Sequence, residues 1–239
     1  MNIDPQELKQ LASVQPPRFD MYGGIHKALR AFMADTLLAA GRMDPDDALE
    51  VVQTGDRVMQ LLDFCASHLA HENTYVHAAI EARAPGASAA IAHEHEEHEQ
   101  EIGRLAAAVA ALGGATAAHR PALAHALYQR LGQFVAANFQ HMHVEETAHN
   151  AVLWMHYTDA ELVRIHDALL ASIPPAELMV TARWLVPFLR PAERAAVLLD
   201  VRGKAPAPVF DALLVVARPH LTANERAKLD RALEAPANP

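Results

Sequence analysis

Two segments of the chain share a pattern suited to holding a metal ion. His68-Leu-Ala-His-Glu72-Asn-Thr and His141-Met-His-Val-Glu145-Glu-Thr each place a histidine four residues before a glutamate. On an α-helix a four-residue step leaves two side chains about 40° apart on one face. One imidazole nitrogen and one carboxylate oxygen then aim at the same point, and that donor pair suits borderline cations such as iron or zinc. Each pair is preceded by a further histidine. His26 lies 42 residues before His68, and His98 lies 43 residues before His141, with His95 an equal candidate at 46. The chain therefore reads as a repeated two-helix unit, one histidine on the first helix and His-x-x-x-Glu on the second. Two such units facing each other across a pseudo-twofold axis bring these side chains into one core, where Glu72 and Glu145 can bridge two ions.

Other metal chemistries fail on spacing. Neither His93-Glu94 nor His95-Glu96 continues to the histidine that a His-Glu-x-x-His zinc motif needs. Cys65 is the only cysteine, which excludes a cysteine-rich zinc site and an internal disulfide. A ferritin-like site needs two Glu-x-x-His units, and only Glu146-x-x-His149 is present. Of the 15 histidines, the group His71, His77, His93, His119, His125, His143, His149 and His156 reads as partly exposed or as partners that orient ligands. His71 or His77 could hydrogen-bond a ligand carboxylate. Cys65, Tyr22, Tyr75, Trp154 and Trp184 read as packing residues.

Long helices must position these groups. Helical spacing of Ile25, Leu29, Phe32 and Met33 predicts a first helix from about Tyr22 to Ala40. A second begins near Asp44 and stops at Ala84-Pro85-Gly86. A third covers about Ser88 to Leu112 and ends at Gly113-Gly114, and a fourth runs from Pro121 to about His156. On the third, Ile91, His95, His98, Ile102, Leu105 and Val109 share one stripe, so at least one of the two histidines faces inward. Long helices joined by short turns predict an all-α, up-down-up-down four-helix bundle. Beyond Thr158-Asp159 the pattern changes to shorter helices punctuated by Pro174-Pro175, Pro191, Gly203 and Pro206, with the last starting near Thr222. The expected organisation is an N-terminal arm at 1–19, the bundle at 20–157 and a smaller C-terminal helical subdomain at 158–239. The last is a candidate surface for a second copy or a protein partner.

Bulk composition narrows the partners. A net charge of -9 argues against nucleic acid and against an anionic membrane surface. The apolar stretch around Leu178–Leu189 is broken by Arg183 and Pro187 and is too short to span a bilayer. The lone cysteine, with no signal-peptide pattern at the N-terminus, predicts a soluble cytoplasmic protein.

Taken together, Ile25-His-Lys-Ala-Leu-Arg30, His68-x-x-x-Glu72, Glu94-His95-Glu-Glu-His98 and His141-x-x-x-Glu145-Glu146 resemble the hemerythrin-like, or His-His-Glu cation-binding, family over about residues 20–157. The resemblance implies a non-haem centre of two iron ions, oxo- or hydroxo-bridged and spanned by two carboxylates. Carried over by position, the ligands are His26, His68, Glu72, His95, His98, His141 and Glu145. Two positions depart from the oxygen carriers of the family. Their third helix carries two histidines four apart, where His95 and His98 are three apart, which leaves His95, His98 or both as ligands. Their fourth-helix carboxylate falls at the position of Glu146, which on a helix points about 140° away from His141, so the geometry favours Glu145. The implied activity is binding or sensing of O2 or a related small diatomic or redox signal, in an apolar pocket formed by Phe32, Met33, Leu69, Phe134 and Met142. The alternatives are a di-iron oxidase or peroxidase, or an iron-handling protein of nitrosative or oxidative stress.

Overall fold

A computed structural model describes residues 18–234. All regular structure among these residues is helical. Helix α1 spans Gly23–Arg42 and α2 spans Ala48–His71. A π-helical segment, Glu72–His77, leads from α2 into α3, Ala78–Arg83. Helix α4 is Ala89–Gly113 and α5 is Arg120–Val144. A second π segment, Glu145–His149, leads from α5 into α6, Asn150–His156. The remaining helices are α7 (Asp159–Ser172), α8 (Pro175–Leu185), α9 (Pro191–Lys204), α10 (Ala207–Ala217) and α11 (Ala223–Glu234). Of the N-terminal arm expected at 1–19, residues 1–17 lie outside the described residues.

Local chemistry sets several of these boundaries. The second long helix starts at Ala48 rather than near Asp44, because Asp44–Asp47 form a turn and Asp47 Oδ1 accepts from the backbone N–H groups of Leu49 and Glu50. Gly86, with φ of 84°, makes the turn into α4, and the Glu81 carboxylate ties it by accepting from the N–H groups of Gly86 and Ser88. Thr158 and Glu161 form a reciprocal capping box at the start of α7.

Helices α1, α2, α4 and α5 pack in a closed order, α1 on α2, α2 on α4, α4 on α5 and α5 on α1. These neighbours are consistent with an up-down-up-down bundle. Leu29, Phe32, Leu61, Leu105, Leu131 and Phe134 are at most 2 % exposed along its axis, and each such side chain contributes about 1.5–3 kcal/mol by leaving water. Trp184 of α8 joins the same core and lies flat on Phe32, with ring centroids 4.2 Å apart. Helix α8 also reaches the bundle through Glu177, which accepts from the Ser67 hydroxyl at 2.5 Å. Further along the chain, Lys27 of α1 pairs with Glu193 of α9. The C-terminal helices have a core of their own around Leu198, Ala217, Leu221 and Leu229. The buried Arg194 guanidinium ties this part together, donating to the carbonyls of Val186, Pro187 and Leu189. No single helix among the described residues is long and apolar enough to cross a membrane.

Candidate metal centre

The two His-x-x-x-Glu pairs sit where α2 and α5 pass into their π segments. His68 and His141 lie in the last α-helical turns, and Glu72 and Glu145 open the π turns. Two residues beyond each glutamate stands a threonine, and both hydroxyls donate back to a carbonyl four residues earlier. Thr74 bonds Ala70 O and Thr147 bonds His143 O, each at 2.7 Å. Such back-bonds loosen a helix and satisfy carbonyls that the wider i→i+5 turn frees.

Six of the seven candidate ligands converge. One donor atom each from His26, His68, Glu72 and Glu145 lie within 4.8 Å of one another, and so do one each from Glu72, His95, His141 and Glu145. The carboxylates are shared in an ordered way. Glu72 Oε1 faces His26 Nε2 at 3.6 Å and His68 Nε2 at 3.1 Å, while its Oε2 faces His95 Nε2 at 3.6 Å. Glu145 does the reverse, with Oε2 3.5 Å from His26 Nε2 and Oε1 at 3.6 Å from His95 Nε2 and 3.3 Å from His141 Nε2. Each carboxylate thus offers one oxygen to each cluster.

Partners outside the clusters orient three of the four rings. Glu146 Oε1 accepts from His26 Nδ1 at 3.0 Å, Glu94 Oε2 from His141 Nδ1 at 2.8 Å, and Asn73 Oδ1 from His95 Nδ1 at 2.7 Å. With the proton held on Nδ1, the Nε2 lone pair points inward, as a metal-binding imidazole requires. Glu146 is fixed in turn by a two-pronged bond from Arg30, at 2.5 and 3.0 Å. Glu145 therefore stands in the clusters and Glu146 behind His26, as the helical offset predicts.

This donor set fits a cation. Both oxygens of Glu72, both of Glu145, and Nε2 of His26 and His68 are buried without a hydrogen-bond partner. An unsatisfied buried polar atom costs about 1–3 kcal/mol, and a cation would satisfy all six together. His95 Nε2 and His141 Nε2 are 3.0 Å apart. With both Nδ1 protons committed outward, two lone pairs face each other there unless positive charge lies between them. The site favours positive charge elsewhere too. Burial opposes protonation of His26, yet the carboxylates of Glu146, Glu72 and Glu145 raise it to about 9. Burial would raise the Glu72 carboxyl, yet His68 and His26 hold it well below its ordinary range.

His98 stands apart. It is 7 % exposed and its ring meets His141 edge-on at 4.8 Å, but it joins neither cluster. Burial, with His141 and His95 close by, lowers it to about 4. Two histidines read from the sequence as partly exposed or as partners that orient ligands are buried beside the clusters. His77 and His149 are 5 % and 3 % exposed and form a third group with Glu145. The π turn puts His77 there, because in a plain α-helix it would point about 140° away from Glu72, whereas His149, four residues after Glu145, shares its face by the ordinary helical step. The threonine repeated after each glutamate was the available signal. Tyr22, 1 % exposed, places its hydroxyl 3.2 Å from His149 Nδ1.

A model of the family described as Hemerythrin HHE cation binding domain matches residues 20–152. No curated protein and no solved structure matches the chain.

Proposed function

The chain belongs to the hemerythrin HHE cation-binding family, and from that premise we propose that it is a non-haem di-iron protein that binds or senses O2 or a related small diatomic ligand. One observation carries the reading: Glu72 and Glu145 each turn one oxygen toward each of two histidine clusters. In this reading His26 and His68 hold one ion, His95 and His141 the other, and the two carboxylates span both, with His98 outside the ligand set. A pair of irons supplies a redox change together with coordination positions that a small ligand can take.

The chain's own residues do the rest. Glu146, Glu94 and Asn73 hold three imidazoles in the metal-facing tautomer. The carboxylates of Glu94 and Glu146 also add negative charge near a centre that must neutralise two cations. Phe32, Met33, Leu69, Phe134 and Met142, the residues expected to form an apolar pocket, are each at most 2 % exposed. An apolar pocket built from such buried side chains would keep water from competing for the site and strengthen the electrostatics inside it. The test is oxygen uptake by iron-loaded, anaerobically reduced protein. Stoichiometric uptake that reverses under vacuum supports a binder, and irreversible consumption of O2 without release contradicts it.

A second reading, a di-iron oxidase or peroxidase, is favoured by the protic groups Tyr22, His77 and His149 beside the clusters. Sustained turnover of hydrogen peroxide by the iron-loaded chain would select it over the binder.

A further inference from the structure

The two clusters leave His77 and His149 unused, although both are buried on the Tyr22 side of Glu145. The His77 ring stacks on His95, with centroids 4.7 Å apart and planes 16° apart, and it meets His149 edge-on at 5.3 Å. Its Nε2 is buried and has no hydrogen-bond partner. One nitrogen from each ring and one Glu145 oxygen lie within 4.8 Å of one another. No ion pair of 4.0 Å or less joins either ring to a carboxylate among the described residues. Three atoms so spaced share a point within about 2.8 Å of each, which is hydrogen-bond distance to an oxygen or nitrogen. Polar atoms too far apart to bond directly, yet both bondable to one atom between them, mark a bridged position.

A third metal ion fits this position poorly. Both Glu145 oxygens already face a cluster, where the histidine nitrogens approach at 3.3 to 3.6 Å. Hydrogen bonding fits. Each neutral imidazole brings one donor and one acceptor, and Glu145 brings an acceptor. The Tyr22 hydroxyl, which can donate or accept, meets His149 Nδ1, and His149 Nε2 takes whichever role Nδ1 does not.

We propose that His77, His149 and Glu145 enclose a binding position for a small hydrogen-bonding ligand, of the size and polarity of hydrogen peroxide or azide, held beside the metal pair. The proposal rests on the reading of the two clusters as a metal centre and names the ligand class that centre receives. A ligand without polar hydrogens or strong acceptors, such as O2, gains little from this position. His77 and His149 are therefore positioning residues for a polar ligand.

Azide titration of the iron-loaded full-length chain, followed by the change in its visible absorption, tests this, with metal content measured on the same samples. The variants are His77→Leu, His149→Leu and His77→Gln. The expected result is unchanged metal content throughout, with azide bound about tenfold more weakly in each leucine variant, the effect of losing one hydrogen bond to a buried group. His77→Gln, which keeps a donor, should recover affinity to within about threefold. Unchanged azide affinity in fully metallated His77→Leu overturns this proposal alone, and so does loss of metal in His77→Gln, which would make His77 a ligand. A wild-type chain that takes up no metal overturns the metal reading and this proposal with it.

Discussion

Replacing Glu146 by glutamine should weaken metal binding without removing a ligand. The Glu146 carboxylate accepts from His26 Nδ1 at 3.0 Å and from both terminal nitrogens of Arg30 at 2.5 and 3.0 Å. Burial would raise its carboxyl, yet His26 and Arg30 lower it to about 2, so it is anionic at any working pH. A glutamine has one acceptor oxygen for two donors, and its amide nitrogen must face either the imidazole or the guanidinium. If it faces His26, the ring is pushed toward the tautomer whose Nε2 cannot bind metal. A hydrogen bond to a charged group contributes about 1.5–3 kcal/mol, which corresponds to about 10–100-fold in affinity, the range seen when an orienting partner of a metal-bound histidine is removed. Competition of metal-loaded protein against a chelator of known affinity measures this directly. Arg30→Met, which leaves Glu146 on His26, should cost less. An affinity for Glu146→Gln within threefold of wild type, with unchanged thermal stability, would refute the reasoning.

Glu94→Gln should act in the same way through His141, since their bond is 2.8 Å, and the same chelator competition reads it, with an expected loss of about tenfold or more. Trp184→Ala removes a side chain that is 5 % exposed and stacked on Phe32; urea unfolding should show a loss of about 3–5 kcal/mol. Cys65 is 2 % exposed and burial raises its thiol to about 12, so a thiol reagent should label it only after denaturation. Glu81, held at about 2 by the Gly86 N–H, the Ser88 hydroxyl and the Ser88 N–H, is more acidic folded than unfolded. Its contribution is present above about 4.5 and fades as pH falls toward 2, so the urea-midpoint difference between wild type and Glu81→Gln should close over that range.

The clustering of these histidines and glutamates was legible because they obey α-helical geometry. A spacing of four aims His68 with Glu72 and His141 with Glu145, and the same rule separates Glu145 from Glu146. The third helix was less legible. His95 and His98 lie three residues apart and both face inward, so periodicity cannot rank them; the ranking comes from the register of α4 against α5, which sets His95 Nε2 3.0 Å from His141 Nε2. His77 was legible only as a possible partner of a ligand carboxylate, since a plain helix points it about 140° from Glu72 and the π turn brings it back; His149 keeps the four-residue step from Glu145, but that step alone does not separate it from the other histidines of the segment. The bundle itself followed from long amphipathic stretches and short turns. The docking of α8 did not, since Trp184 on Phe32 and Glu177 on Ser67 join residues more than a hundred positions apart, and no local pattern encodes such a contact.

The central claim is that Glu72 and Glu145 join two ions into one centre. Metal analysis of the iron-reconstituted chain, wild type and Glu145→Ala side by side, tests it most directly. The account predicts two irons per chain in the wild type and weakened binding at both positions in Glu145→Ala, because that one side chain serves both clusters. One iron or none per wild-type chain, or two retained at unchanged affinity in Glu145→Ala, would contradict it.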